Sequence, residues 1–259
     1  MKSLKITIVQ QAIVWEKPEE NLRHLDHILQ AVPVSESHLI VLPEMFTTGF
    51  TMNSHQLAEE MDGPALEWMK HAAREKNAVI MGSVIVKEQG AHYNRLLAVQ
   101  PDGSFNQYDK RHLFRMSGEH EHFSPGNHSM IFKIGEWRVK PLICYDLRFP
   151  VWSRNRNDYD VLVYVANWPE VRRRVWTTLL SARAMENLAY VVGVNRVGVD
   201  GMGIQYSGDS MALNYYGEVI SSRTEASEWL ETVDLDREAL ERFRTKFPAW
   251  RDADSFEIV

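Results

Sequence analysis

Val139-Lys140-Pro141-Leu142-Ile143-Cys144-Tyr145-Asp146-Leu147-Arg148-Phe149-Pro150 begins as an apolar run and ends in polar residues and a proline, with the chain's only cysteine at the changeover. Leu142 and Ile143 suit the buried end of a strand, while Asp146 and Pro150 suit a turn leading into a helix. The stretch reads as a strand–turn–helix unit. A cysteine at such a corner presents its sulfur near the amide donors of the turn. Those donors and a helix dipole both favour the thiolate. The other reading is a small hydrophobe filling the core, since free cysteine is among the most buried residue types.

Working outward, the same alternation recurs along the chain. Strand-like runs occupy 4–10, 37–42, 78–86, 93–100, 105–110, 130–134, 137–143, 160–166 and 189–195. Helical spacing occupies 17–32, with Leu22, Leu25, Ile28 and Leu29 on one face, and 63–76, with Leu66, Met69, Ala72 and Ala73 inward. A third helix is expected over 172–187. Several strands are continuously rather than alternately apolar, which indicates sheets covered by helices and an α/β architecture. Hairpin signals such as Pro101-Asp102-Gly103 make the sheets mixed rather than purely parallel. Later come a single strand-like run over 205–213, a turn at 214–217, a strand at 229–235 and a helix over 236–247. Asp234 or Asp236 stands near the start of that helix. The tail, 248–259, carries Trp250 and Phe256 without helical spacing and is expected to pack on a neighbour, such as another subunit.

No linker, low-complexity tract or fixed-period repeat interrupts the 259 residues, so residues 1–259 read as one domain. A formal charge of −6 argues against nucleic acid as a partner. The triple Arg172-Arg173-Arg174 is a local exception that reads as a solvated helical turn or part of an ion-pair network. One cysteine cannot form an internal disulfide and fits a reducing compartment. The first ten residues are too short an apolar run for a signal peptide, and no uncharged stretch of about eighteen residues exists for a membrane span. A cytoplasmic protein is expected. No Gly-x-Gly-x-x-Gly follows a strand, so no dinucleotide cofactor is expected. The spacing of His112, His120, His122 and His128 fits none of the usual zinc patterns, so no metal is expected either.

Three segments place a reactive side chain at the end of a strand-like run: 40–43 delivers Glu44, 105–109 delivers Lys110, and 141–143 delivers Cys144. Ligands bind beyond the carboxyl ends of strands in covered α/β sheets, so three such ends can converge. A thiol nucleophile, a carboxylate base and an ammonium near a developing oxyanion form a complete set for acyl transfer. Taken singly, each also reads as an ordinary cap or solvated loop residue. A cysteine–histidine hydrolase is a rival, given ten histidines, but no local signature supports it. A thiol sensor or scaffold is the non-enzymatic rival.

Leu42-Pro43-Glu44-Met45-Phe46, Tyr108-Asp109-Lys110-Arg111-His112-Leu113-Phe114 and Cys144-Tyr145-Asp146-Leu147-Arg148-Phe149-Pro150 resemble, in order and separation, the three catalytic motifs of the nitrilase superfamily of carbon–nitrogen hydrolases. The resemblance runs from Ile6 to about Asp234 and includes Ser124-Pro125-Gly126, Ala166-Asn167-Trp168-Pro169, Arg183-Ala184-Met185-Glu186-Asn187 and Gly208-Asp209-Ser210. Within the superfamily the likeness is greatest to omega-amidases, which hydrolyse the terminal amide of 2-oxo acids such as 2-oxoglutaramate. Asp109 and Val151 depart from the pattern, where relatives often carry a basic or neutral residue and a glutamate.

The resemblance implies a four-layer α-β-β-α sandwich with mixed sheets, pairing into homodimers through the face near the cysteine corner. It also implies a Glu44–Lys110–Cys144 triad acting on a small-molecule amide without cofactor or metal. Nitriles and N-carbamoyl amines are alternative substrates for the same triad. Glu119 holds the position of a second glutamate, with Glu121 close enough to compete for it. The backbone N–H of Tyr145 would join Lys110 at the oxyanion. Arg148 would either receive a substrate carboxylate or brace the corner against Asp146 or a carbonyl. Phe114, Asn167 and Trp168 would form walls, and the loops 47–61 and 198–206 would shape the pocket.

Overall fold

The computed structural model describes residues 1–222 and 226–258; Val259, the last residue of the expected tail, lies outside them. In chain order the first strands are β1 (Ser3–Gln10), β2 (Leu39–Val41), β3 (Val79–Glu88), β4 (Ala91–Val99) and β5 (Phe105–Asp109). They are followed by β6 (Phe132–Ile134), β7 (Trp137–Ile143), β8 (Val161–Ala166) and β9 (Tyr190–Asn195). The last are β10 (Val197–Val199), β11 (Gln205–Ser207), β12 (Met211–Leu213) and β13 (Trp229–Asp236). The longer helices are α1 (Pro18–Gln30), α2 (Pro64–Lys76), α3 (Arg173–Asn187) and α4 (Arg237–Lys246).

Two mixed sheets result. One has the order β13-β1-β2-β3-β4-β5, parallel across β1, β2 and β3 and antiparallel at both flanks. The other has the order β12-β9-β8-β7-β6, parallel across β7, β8 and β9. Alternate residues of the first sheet separate into two cores, as the two-residue period of a strand requires. Leu39 and Val41, Val79 and Met81, and Leu96 and Ala98 pack with Leu142, Val163 and Val192 of the second sheet. Their neighbours Ile40, Ile80, Leu97 and Val99 pack against Leu25 and Leu29 of α1 and Leu66, Met69, Ala72 and Ala73 of α2. On the far face of the second sheet lies α3, which Gly193 admits closely: a Cβ there would stand 2.5 Å from Leu180 and 2.8 Å from Trp176. The layers run helices, sheet, sheet, helix.

The run over 205–213 is not one strand. Gly208 and Asp209 both take positive φ, 75° and 55°, and break it into β11, paired with β10, and β12, paired with β9. The break costs little at glycine, and the two halves serve different sheets. Asp236, rather than Asp234, caps α4, accepting from the Ala239 N–H at 3.0 Å. The tail contains a short 3-10 turn at Ala249–Asp252 and lies against its own chain, with Arg156 donating to the Phe256 carbonyl and stacking over that ring at 4.6 Å.

Lys140, in the middle of β7, is buried; its Nζ donates to the Trp152 carbonyl at 2.8 Å. Burial pushes its ammonium down to about 8, against the pull of Asp158 and Asp146. The unfolded chain, with lysine near 10.4, binds a proton across that window that the folded chain does not. Stability therefore rises with pH between about 8 and 10.4, by about 3 kcal/mol. In urea denaturation at stepped pH, wild type should gain that stability relative to Lys140→Met, the tyrosines cancelling in the difference. A constant gap between the two proteins would contradict the assignment.

Candidate active site

Glu44, Lys110 and Cys144 converge although they follow three different strands. Pro43 ends the run after β2, and the next turn is anchored by Met45 N–H donating to Ser83 Oγ at 2.8 Å. Lys110 continues β5 by one residue, its N–H bonded to the Asn94 carbonyl at 3.0 Å and its carbonyl to the Gly126 N–H at 2.9 Å. Gly126 has to be glycine for that approach, since a Cβ would stand 2.2 Å from the Asp109 carbonyl oxygen. The motif residues Ser124-Pro125-Gly126 thus clamp the lysine strand end. Cys144 follows β7 with φ 43°, a strained conformation for a side chain with a Cβ and one that clusters at functional sites.

Lys110 is the centre of the cluster. Its Nζ donates to Glu44 Oε1 at 2.9 Å and to Glu119 Oε1 and Oε2 at 2.9 and 3.0 Å, and all three side chains are fully buried. Burial works against the ammonium, but Glu119 and Glu44 outweigh it and hold Lys110 above the ordinary lysine range. Burial raises Glu119 above the usual carboxylate range; Lys110 opposes that shift and Glu44 adds to it. Glu121 instead faces solvent, so the structure distinguishes the two neighbouring glutamates. Glu44 is held on every side. Asn94 Nδ2 donates to Oε1 at 2.8 Å and the Asn167 N–H to Oε2 at 2.8 Å, while the Asn167 side chain donates to the Glu44 carbonyl.

The cysteine corner is fixed by Asp146. Tyr108 Oη donates to Oδ2 at 2.7 Å, the Ile143 N–H to Oδ2 at 3.0 Å, and the His112 N–H to Oδ1 at 3.0 Å. Arg148, for which an ion pair with Asp146 was one expectation, does not take that role, because the carboxylate is filled by these donors. Its guanidinium lies over Trp168, 5.2 Å from the ring centroid. Arg183 of α3 braces the corner in its place, donating to the Leu147 carbonyl at 2.7 Å. The expected help of a helix dipole to the thiolate is also corrected. Residues Cys144–Arg148 form only a short 3-10 turn. Burial pushes the thiol well above its ordinary range, Glu44 pushes it further, and Lys110 only partly offsets them.

The thiol opens onto a cavity of about 490 Å³. Tyr145, Arg148, Phe114, Asn167 and Trp168 all line it, as do parts of both suspected loops, through Phe50, Met52, Asp200 and Tyr206. Several contributors escaped the sequence reading, Ser117 among them. Trp15 and Glu16 enter from the loop before α1, and Arg172 from the turn before α3. Asn94 was missed as a further holder of Glu44; it lies in the polar half of β4 beside Arg95, where the local sequence carries no signal of the role. Of the two departures, Asp109 is balanced by Arg95, which grips both its oxygens at 2.7 and 2.9 Å, and Val151 is exposed.

Both carboxylates of the cluster hold the thiol up, Glu44 more than Glu119. Glu44→Gln and Glu119→Gln should each lower the ionisation midpoint of Cys144, the first more than the second, as read from the pH dependence of iodoacetamide alkylation. A rise in either variant would contradict the charge arrangement.

A carbon–nitrogen hydrolase family model matches residues 5–245. The chain is 48% identical over 258 residues to omega-amidase YafV of Escherichia coli (strain K12), with 100% of both chains covered. It is 30% identical over 252 residues to the 2-oxoglutaramate amidase of Bacillus subtilis (strain 168), covering 95% of this chain and 96% of that one. Among solved structures, a CN-hydrolase superfamily protein from Xanthomonas campestris with an arsenic adduct in its active site matches with a TM-score of 0.97 at 40% identity, covering 100% of each chain. Fold, motif order and full-length similarity agree, and the chain belongs to the carbon–nitrogen hydrolase family of the nitrilase superfamily.

Proposed function

We propose that the chain is a cysteine-dependent omega-amidase that cleaves the terminal amide of a small 2-oxo acid of the 2-oxoglutaramate type to the carboxylate and ammonia. The observation that carries the reading is the buried Glu44–Lys110–Glu119 cluster beside Cys144 at the wall of the cavity. The names of the relatives, omega-amidase and 2-oxoglutaramate amidase, support the substrate class.

In the proposed reaction Glu44 takes the Cys144 proton as the sulfur attacks the amide carbon. The C–S bond forms, and the carbonyl electron pair moves onto oxygen. Lys110 and the N–H of Tyr145 stabilise that oxyanion; one such donor contributes about 3 kcal/mol or more. Glu44 returns the proton to the amide nitrogen, the C–N bond breaks, and ammonia leaves a thioester. Water, deprotonated by the same Glu44, attacks the thioester, and the carboxylate departs as the sulfur regains its proton. Glu119 keeps Lys110 charged and oriented. Asn94 and Asn167 fix the carboxylate of Glu44, so that it faces the sulfur without rotamer freedom.

A substrate of this kind carries a carboxylate at the end remote from the amide. Arg148 is its proposed partner: it lines the cavity with its guanidinium 5.2 Å from the Trp168 ring centroid, and its planar fork of N–H donors matches a carboxylate. A single catalytic domain that pairs into a homodimer near the cysteine corner belongs to the same reading. So does a cytoplasmic location, which suits one unpaired thiol.

The test is ammonia release from 2-oxoglutaramate, glutamine, a simple aliphatic amide, a nitrile and an N-carbamoyl amine. Fast turnover of the 2-oxo amide with the nitrile inert is the expected result. Cys144→Ala should abolish turnover without unfolding the chain. Glu44→Gln should lower kcat by about 10²-fold or more while Cys144 remains open to alkylation. Preference for the nitrile or the carbamoyl amine would overturn the substrate assignment. Substantial turnover by Cys144→Ala would overturn the mechanism.

A further inference from the structure

The three consecutive arginines before α3 meet different fates. Arg174 is exposed. Arg173 grips Asp209 through Nε and Nη2 at 3.1 and 2.6 Å. Arg172 is half-buried in the wall of the active-site cavity, its guanidinium 5.2 Å above the centroid of Phe114. Among the described residues its guanidinium contacts no carboxylate. Neither does that of Arg148, on the neighbouring wall. The two segments are tied together by Trp168, whose ring carries Arg148 and whose Nε1 donates to the Arg172 carbonyl at 2.9 Å.

Acidic groups are present in the same cavity, each already bonded to neighbouring neutral donors. Glu16 accepts from Thr51 and Asn53. Asp200 accepts from Tyr206 Oη and from the N–H groups of Met202 and Ile204. Two guanidinium groups thus line the same cavity, Arg172 half-buried and Arg148 exposed, each 5.2 Å from an aromatic ring centroid and neither in contact with a carboxylate among the described residues. The N–H edge of a guanidinium matches a carboxylate, and it also donates well to a carbonyl oxygen.

We infer that Arg172 is a second substrate-binding cation, which with Arg148 forms a two-guanidinium subsite for the 2-oxo-carboxylate end of the substrate and makes the enzyme discriminate against amino acid amides. The inference rests on the proposed omega-amidase reading and deepens it. A 2-oxo oxygen accepts an N–H from the second guanidinium. The ammonium of glutamine, at the same carbon, offers only donors and a like charge. Discrimination then arises as much from repulsion of the wrong substrate as from attraction of the right one.

The experiment compares wild type, Arg172→Gln and Arg172→Lys on 2-oxoglutaramate, glutamine and a neutral aliphatic amide. Glutarate protection of Cys144 against iodoacetamide is measured in parallel, a readout that needs no turnover. Arg172→Gln should raise KM for 2-oxoglutaramate about tenfold or more, lower its advantage over glutamine and over the neutral amide, and weaken glutarate protection by a similar factor. Arg172→Lys, which keeps charge but loses the fork, should recover part of each. Equal losses on all three amides would assign Arg172 to supporting Phe114 and overturn the inference, as would unchanged glutarate protection. A wild-type enzyme inert towards 2-oxoglutaramate but protected by glutarate in an Arg172-dependent way would overturn the substrate reading and leave the cationic subsite standing.

Discussion

A buried ammonium held between two buried carboxylates is the interaction on which the rest of this structure depends. Lys110, Glu44 and Glu119 have no exposed side-chain surface. Removing charges of that size from water costs several kcal/mol for each ion, and attraction inside the protein repays it only when geometry is good and the remaining atoms are bonded. Both conditions are met. Asn94 and the Asn167 N–H complete Glu44, and the Phe114 N–H completes Glu119. Replacing one partner would leave an uncompensated charge, typically at a cost of about 3–5 kcal/mol. The cluster is therefore also a constraint on the fold, since its members come from the ends of β2 and β5 and from the loop beyond.

The cysteine turn is coupled to that constraint through Asp146. This one carboxylate receives Tyr108 at the end of β5, His112 beyond Lys110, and Ile143 at the end of β7. Tyr108 in turn accepts from Trp152 and from the Arg111 N–H. The loop that carries the ammonium and the turn that carries the sulfur thus share a hub, although they belong to different sheets. Such sharing fixes the position of Cys144 relative to Lys110 more tightly than apolar packing would. The positive φ at Cys144 is held in place by bonds on both sides of it.

Much of this was legible because strand ends are legible. Glu44 and Cys144 each follow an apolar run that marks a buried strand end, while Lys110 follows the mostly polar Phe105–Asp109, where the motif resemblance rather than the pattern marked it; the rule that ligands collect beyond strand ends brings the three together. Two kinds of feature were not legible. Asn94 sits in the polar first half of β4, between Tyr93 and Arg95, where nothing local sets it apart; only the folded sheet shows that its amide meets Glu44. Arg172, embedded in a triple arginine, has neighbours of the same type with different partners, and no spacing rule separates the one facing the cavity from the one gripping Asp209. The strand-like run over 205–213 failed for a related reason. Its residues suit a strand throughout, and the split at Gly208 and Asp209 follows from which sheet each half can reach.

The resting thiol raises a question of charge. With both glutamates ionised and Lys110 protonated, the cluster carries a net charge of −1, and loss of the Cys144 proton to water would make it −2 in a buried space. Burial is the first cause of the raised thiol ionisation, and this accumulation of negative charge adds to it. Transfer of the same proton to Glu44 creates no net charge, because the carboxylate is neutralised as the sulfur becomes anionic. In the proposed reaction the sulfur's charge then passes to the substrate oxygen as the C–S bond forms, still beside Lys110. A thiol that resists ionisation to solvent is thus compatible with a reactive nucleophile, provided its base is adjacent and held.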